Sequence, residues 1–153
     1  MSVIIARERP DTFDAVRLIA ELDAVLESFY PPTSRNGFSV DKLLAEEVAF
    51  FLLRLDGEPV CCGGILLVDG AYGEIKRMYV RPPYRGAGLA KSMLAHLTDY
   101  ACSHGVALLR LETGIHQGEA IGLYEQVGFY RIPPFGPYID DPLCLCYEKR
   151  LTD

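Results

Sequence analysis

The stretch that decides the fold is V-R-P-P-Y-R-G-A-G-L-A-K-S-M-L, Val80 to Leu94. An apolar run ends at Val80, two prolines stiffen the exit, and two glycines stand at the mouth of a helical pattern. Glycine lets backbone N–H groups approach a ligand closely, and the first turn of a helix carries about half a positive charge. That is a phosphate-binding shape. Three templates compete for it. A nucleoside-triphosphate loop, G-x-x-x-x-G-K-[ST], would use Lys91 and Ser92, but Arg85 and Ala90 stand where its glycines belong. A dinucleotide turn, G-x-G-x-x-G, accepts Gly86 and Gly88 and fails at Lys91. The third, R-x-x-G-x-[GA], fits Arg85, Gly88 and Ala90 and adds a full positive charge, which suits a pyrophosphate.

The segments just upstream separate the templates further. Val48 to Leu55, Pro59 to Val68 and Tyr72 to Val80 read as strands, divided by Asp56-Gly57 and Asp69-Gly70. Asp-Gly between short apolar runs is a strong hairpin signal, so this part is an antiparallel meander. A dinucleotide fold needs parallel crossovers at that point.

Further out, Val3 to Glu8 reads as a first strand. Asp11 is placed to N-cap a helix with Asp14 in its first turn, and Ala15, Leu18, Ile19, Leu22, Leu26 and Phe29 form its apolar stripe. Tyr30-Pro31-Pro32 stops it. A polar loop, Thr33 to Ser39, leads to a short helix around Asp41 to Ala45. Downstream, Ala90, Met93, Leu94, Leu97 and Ala101 recur at helical spacing until His104 and Gly105. Val106 to Glu112 is a buried strand, and Ala120, Leu123, Tyr124 and Val127 mark another helix, closed by Gly128. Phe129 to Ile132 and Leu143 to Lys149 are the last strands, joined by the rigid P-P-F-G-P-Y-I-D-D-P loop. The order β-α-α-β-β-β-α-β-α-β-β is an α/β sheet with an antiparallel N-terminal half, expected as one domain over residues 1–153.

Composition narrows the partners. A net charge of −6 argues against a nucleic-acid surface. No apolar run is long enough to span a membrane, and the N-terminus is too charged for a signal peptide. Five cysteines, without a C-x-x-C pair, read as buried thiols in a cytoplasmic protein. His96, His104 and His116 lack ligand spacing, so no metal is expected.

The chain resembles the GNAT superfamily of acyl-CoA-dependent N-acetyltransferases. The likeness runs through the whole element order and is sharpest in G-E-I-K-R-M-Y-V-R-P-P-Y-R-G-A-G-L-A and L-E-T-G-I-H-Q-G-E-A-I-G-L-Y-E-Q-V-G-F. The tail I-P-P-F-G-P-Y-I-D-D-P resembles a bacterial subgroup of small members without a firm substrate. The resemblance implies a mixed central sheet with helices on both faces, acetyl-CoA as cofactor, an amine acceptor, direct attack in a ternary complex, and a homodimer by family habit. It implies that Met78, Tyr79 and Val80 pair through their backbone with the pantetheine, and that Arg85, Gly86, Ala87, Gly88, Leu89 and Ala90 hold the pyrophosphate. Gln117 stands where the family often has a cofactor-contacting asparagine, and Tyr124 where it has a cofactor-contacting tyrosine.

The chemistry then sets its own demands. A lysine-like amine, with a pKa of about 10.4, is neutral in only about one molecule per thousand at neutral pH, so a general base helps. The departing thiolate gains from a proton or hydrogen bond, which a tyrosine hydroxyl supplies. Tyr124 is the expected general acid. Glu74, matching the base of histone-type members, Glu112 on the neighbouring strand, and His116 are the alternatives for the base. Glu74 shares a strand face with Met78 if alternation holds, and a bulge would shift this. The resemblance puts the substrate wall at Phe29 to Phe38 and Pro133 to Pro142, with Tyr30, Phe38, Phe135 and Tyr138 as its aromatics. It leaves a non-catalytic acyl-CoA-binding module as the alternative.

Overall fold

Two Asp-Gly turns organise the N-terminal half of the sheet. The computed structural model describes residues 2–35 and 37–151. Strand β1 (Val3–Arg7) leads to helix α1 (Phe13–Glu27) and the short helix α2 (Val40–Ala45). The meander β2 (Ala49–Leu55), β3 (Glu58–Val68) and β4 (Tyr72–Val80) follows. Asp56, Gly57, Asp69 and Gly70 all take positive φ, between 50° and 86°, as tight hairpin turns require. Helix α3 (Leu89–Ser103), β5 (Leu108–Gly114), α4 (Gly118–Gln126), β6 (Tyr130–Ile132) and β7 (Cys144–Arg150) complete the order expected from the sequence. The described strands form one seven-stranded sheet, β1-β2-β3-β4-β5-β7-β6. Every neighbouring pair is antiparallel except β4 and β5.

Side-chain alternation divides the core in two. Phe50, Leu52, Cys62 and Tyr79 pack under α1 and α2 with Leu18 and Leu43. Phe51, Leu53, Cys61, Ile75 and Leu111 face α3 and α4 with Met93, Leu97 and Tyr124. No helix among the described residues is long and apolar enough to cross a membrane.

Three boundaries differ from expectation for identifiable reasons. Thr12, not Asp11, caps α1, its hydroxyl accepting from Ala15 N–H at 3.3 Å. Asp11 is held by the Arg9 guanidinium at 2.8 and 3.0 Å, which pulls its carboxyl below the usual range. Strand β5 starts two residues late, because Val106 N–H bonds the Ala101 carbonyl and Gly105 N–H that of Cys102, a glycine-closed helix end. At its other end β5 runs on to Gly114, paired with Cys144 of β7, so Glu112 lies inside the strand rather than at its end. Phe29 falls beyond α1 and is exposed.

Candidate active site

Strands β4 and β5 are parallel neighbours for only three residue pairs, Gly73–Leu109, Glu74–Arg110 and Ile75–Leu111. Beyond Ile75 they part, and the β4 edge from Lys76 onward has no strand partner on that side. On its other side β4 stays with β3 through a bulge. Cys62 faces Tyr79 and Gly64 faces Lys76, so Arg77 and Met78 together oppose Gly63. Arg77 sits at φ 57°, a left-handed conformation uncommon for a side chain of its size.

The bulge resets the faces. Lys76 meets Glu74, and Arg77 meets Asp23 of α1, on the same side of the sheet. Met78 packs against the α3 and α4 core. Glu74 and Met78, which unbroken alternation puts on one face, are therefore on opposite faces.

The splayed strands open a groove of about 610 Å³. Met78, Tyr79 and Val80 form one wall, and Gln117 and Tyr124 stand across from them. Arg85, Gly86, Gly88 and Ala90 line its far end. Gly86 and Gly88 take φ 85° and 78°, and Gly88 is the residue that precedes α3. No acidic side chain occupies the first turn of α3. Exposed first-turn N–H groups, the helix dipole and Arg85 together fit a pyrophosphate. The unpaired β4 edge fits the amides of a pantetheine arm, with one difference: the Val80 carbonyl already accepts from Arg85 Nε at 3.0 Å. One residue of the expected loop stands apart: Ala87 is exposed and outside the lining, whereas Leu89 lines the groove as well as packing into the core. Lys91 is an exposed residue of α3 at the groove's edge.

A second, smaller cavity of about 110 Å³ lies between α1, the segment after it, β4 and β5. It shares Leu22, Met78, Gln117, Ala120 and Tyr124 with the groove, so the two spaces meet at Tyr124. Tyr124 is buried, edge-on to Phe129 at 5.7 Å, and burial pushes its hydroxyl pKa up, which keeps it protonated. Its hydroxyl has no hydrogen-bond partner among the described residues.

The two carboxylates in this cavity differ. Glu74 is buried, and its Oε2 accepts from Tyr138 Oη at 2.6 Å and from Lys76 Nζ at 3.0 Å. Lys76 also donates to Tyr138 Oη at 2.8 Å and lies 4.0 Å from the Phe38 ring centre. Glu112 is raised above the ordinary carboxylate range. Burial is the main cause, with the Cys144 thiol and Lys76 pulling the other way.

Of the expected wall aromatics, Tyr30 and Tyr138 line the cavity. The Tyr30 hydroxyl is already engaged: it accepts from His116 N–H at 2.9 Å and donates to Gln117 Oε1 at 3.1 Å. Phe38 and Phe135 are not in the lining. Phe38 covers Lys76, and Phe135 packs edge-on against Tyr138 at 5.3 Å. His116 is exposed and stacks on Phe29 at the groove side, away from Glu112's cavity. The five cysteines form no disulfide among the described residues, and burial lifts Cys61 to about 12, so its thiol is no nucleophile at neutral pH. Among the described residues no cluster of histidines, cysteines and acids has the makings of a metal site.

Sequence reasoning did not single out Arg35, Lys76 or Arg77, all of which line the smaller cavity. For Lys76 and Arg77 the signal was present as G-E-I-K-R, three charged residues inside an otherwise mostly apolar strand.

Comparison with known proteins agrees with this geometry. The Acetyltransferase (GNAT) family model matches residues 14–129. The chain is 41% identical to the IAA acetyltransferase of Azospirillum brasilense, over 98% of this chain and 99% of that one. It is 33% identical to the uncharacterized N-acetyltransferase YsnE of Bacillus subtilis, over 79% and 82% of the two chains. A solved structure from Klebsiella pneumoniae superposes with a TM-score of 0.84 at 36% identity, covering 98% of both chains. The PaiA N-acetyltransferase of Thermoplasma acidophilum, solved with coenzyme A, shares the fold at 18% identity, with a TM-score of 0.79 over 98% and 99% of the two chains. The protein whose two cavities meet at Tyr124 belongs to the GNAT family of acetyltransferases.

Proposed function

We propose that the chain transfers an acetyl group from acetyl-CoA to a primary amine of a small molecule or peptide, by direct attack within a ternary complex. The observation that carries this reading is the junction of the groove and the smaller cavity at Tyr124. Two reactants, one in each space, meet there without passing through a protein-bound intermediate. Acetyl-CoA supplies the activated acyl thioester. Backbone groups of Met78, Tyr79 and Val80 hold its pantetheine arm, and Arg85, Gly86, Gly88 and Ala90 its pyrophosphate, with Gln117 beside the arm.

Tyr124 is the general acid, because its hydroxyl is protonated, buried and free to donate to a departing thiolate. Glu112 is the general base in preference to Glu74. A raised carboxylate sits nearer the working pH, whereas Glu74 Oε2 is already committed to Lys76 and Tyr138. Glu74, Lys76 and Tyr138 then act as a rigid floor for the acceptor.

The reading extends to one transferase unit spanning the chain, working in the cytoplasm, where cysteines outside disulfides stay reduced. It includes a homodimer, which sedimentation at micromolar concentration would reveal as twice the single-chain mass.

The test is mass spectrometry of an amine panel incubated with acetyl-CoA. IAA is tested beside the amines because the Azospirillum brasilense relative is named for it. An acetylated amine supports the proposal. Acetyl-CoA binding with no product from any amine would instead make the chain a non-catalytic acyl-CoA-binding module.

A further inference from the structure

The charge lining the smaller cavity is biased in a way that acetyl transfer does not use. Arg35, Lys76 and Arg77 line this cavity and not the groove, against two carboxylates, Glu74 and Glu112. That is a surplus of positive charge in a chain of net charge −6. A pocket built for an amine alone would carry the opposite bias.

The three cations are neutralised differently. Lys76 has its partner, Glu74, inside the cavity at 3.0 Å. The arginines are paired from outside it, Arg77 Nη2 with Asp23 and Arg35 Nη1 with Glu27 at 3.3 Å. Neither Asp23 nor Glu27 lines the cavity, and their side chains are 49% and 61% exposed, so water screens both pairs. The Arg77 side chain is itself only 3% exposed. Its Nη2 also donates to the Ile19 carbonyl at 3.4 Å. The buried Nε of Arg77 has no acceptor among the described residues, and neither has that of Arg35. Buried donors left unsatisfied are uncommon and costly. The bulge of β4 is what turns Arg77 onto this face, with its backbone held at a positive φ. A carboxylate is the group whose two oxygens match a guanidinium fork.

We infer that the cavity takes an aminocarboxylate: the acceptor is a small free amino acid, its carboxylate held by Arg77 and Arg35 and its amine presented toward Glu112 and Tyr124. The inference rests on the acetyl-transfer reading and names the substrate class of the same site. A space of about 110 Å³ suits a compact molecule. A peptide N-terminus offers a neutral amide where the free amino acid offers its carboxylate, and so forfeits the contact.

The experiment is calorimetry on the protein saturated with coenzyme A, titrated with glycine, alanine, serine and glutamate and with the carboxamide of each. At least one acid should bind roughly 10- to 100-fold more tightly than its amide, the ratio a charge-assisted hydrogen bond gives. The preference should fall to within about three-fold in Arg77→Met and in Arg35→Met. Arg35 is partly exposed, so its variant keeps the comparison open if thermal melts show that Arg77→Met does not fold. Equal binding of acids and amides overturns the inference. So does the absence of binding by every compound, or a preference that survives Arg35→Met and a folded Arg77→Met. Product analysis with acetyl-CoA runs on a separate axis. An acid preference without acetylated product contradicts the transfer reading and leaves the carboxylate subsite standing. Equal acetylation of acids and amides removes the subsite alone.

Discussion

At the scale of single residues, Glu112 and Glu74 show how surroundings divide two like groups. Both line one cavity, yet Glu74 is tied to Lys76 and Tyr138, while Glu112 is lifted mainly by burial. A base works ionised, so activity should climb as pH rises through Glu112's raised value and fall as pH drops through it. In Glu112→Gln that acidic limb disappears from the pH profile of kcat/KM, with a loss of roughly 100-fold or more at neutral pH. In Glu74→Gln the limb stays. A limb lost in Glu74→Gln and kept in Glu112→Gln would reverse the assignment. Stability carries the matching sign. A raised carboxyl favours the folded state while protonated, and that contribution is lost as pH rises through the raised value. Glu112→Gln should therefore melt no lower than the wild type at neutral pH, with its advantage gone below the ordinary carboxylate range. Tyr124→Phe should cut kcat roughly 100-fold while the KM for acetyl-CoA hardly moves, since the ring keeps its packing and only the proton donor goes. An unchanged kcat would end its role as the acid.

At the scale of elements, the contact between the end of α1 and the β5–α4 connection fixes the groove. Tyr30 bonds His116 N–H and Gln117 there, and its ring lies where a Cβ on Gly114 would fall. Gly114→Ala should displace Tyr30 at a cost of about 1–3 kcal/mol, seen as a lower Tm. It should also raise the KM for acetyl-CoA as the start of α4 shifts. Adding Tyr30→Ala should return part of the lost stability, because the two changes share one contact. A double variant whose losses merely add would contradict this.

Much at this scale was legible beforehand. The hairpins were, because Asp-Gly supplies the positive φ of a tight hairpin turn. The glycine turn into α3 was, because Gly86 and Gly88 supply the positive φ that the chain takes there. The β4 bulge was not. Nothing in Y-G-E-I-K-R-M-Y-V demands a left-handed residue, and arginine is a poor one, so the change of face between Glu74 and Met78 emerges only from pairing with β3. Arg77 was missed for the same reason. Phe38 and Phe135 were misplaced because an aromatic in a loop packs on its nearest cation or ring as readily as on a ligand. Thr12 displaced Asp11 as cap because Arg9 offered Asp11 a competing partner.

At the scale of the whole molecule, the sheet is a wedge. β3 holds β4 on one side along most of its length, and β5 leaves it on the other after three residue pairs. The groove and the smaller cavity adjoin at this opening along a shared wall that includes Tyr124. Such a layout has room for both reactants at once and needs no covalent halfway stage. The measurement that tests it most directly is the initial velocity of acetyl transfer to an accepted amine, varied against acetyl-CoA at several fixed amine concentrations. The account predicts double-reciprocal lines that intersect, as simultaneous occupancy requires. Parallel lines, with an acetylated form of the protein seen by intact mass when acetyl-CoA is present alone, would contradict it.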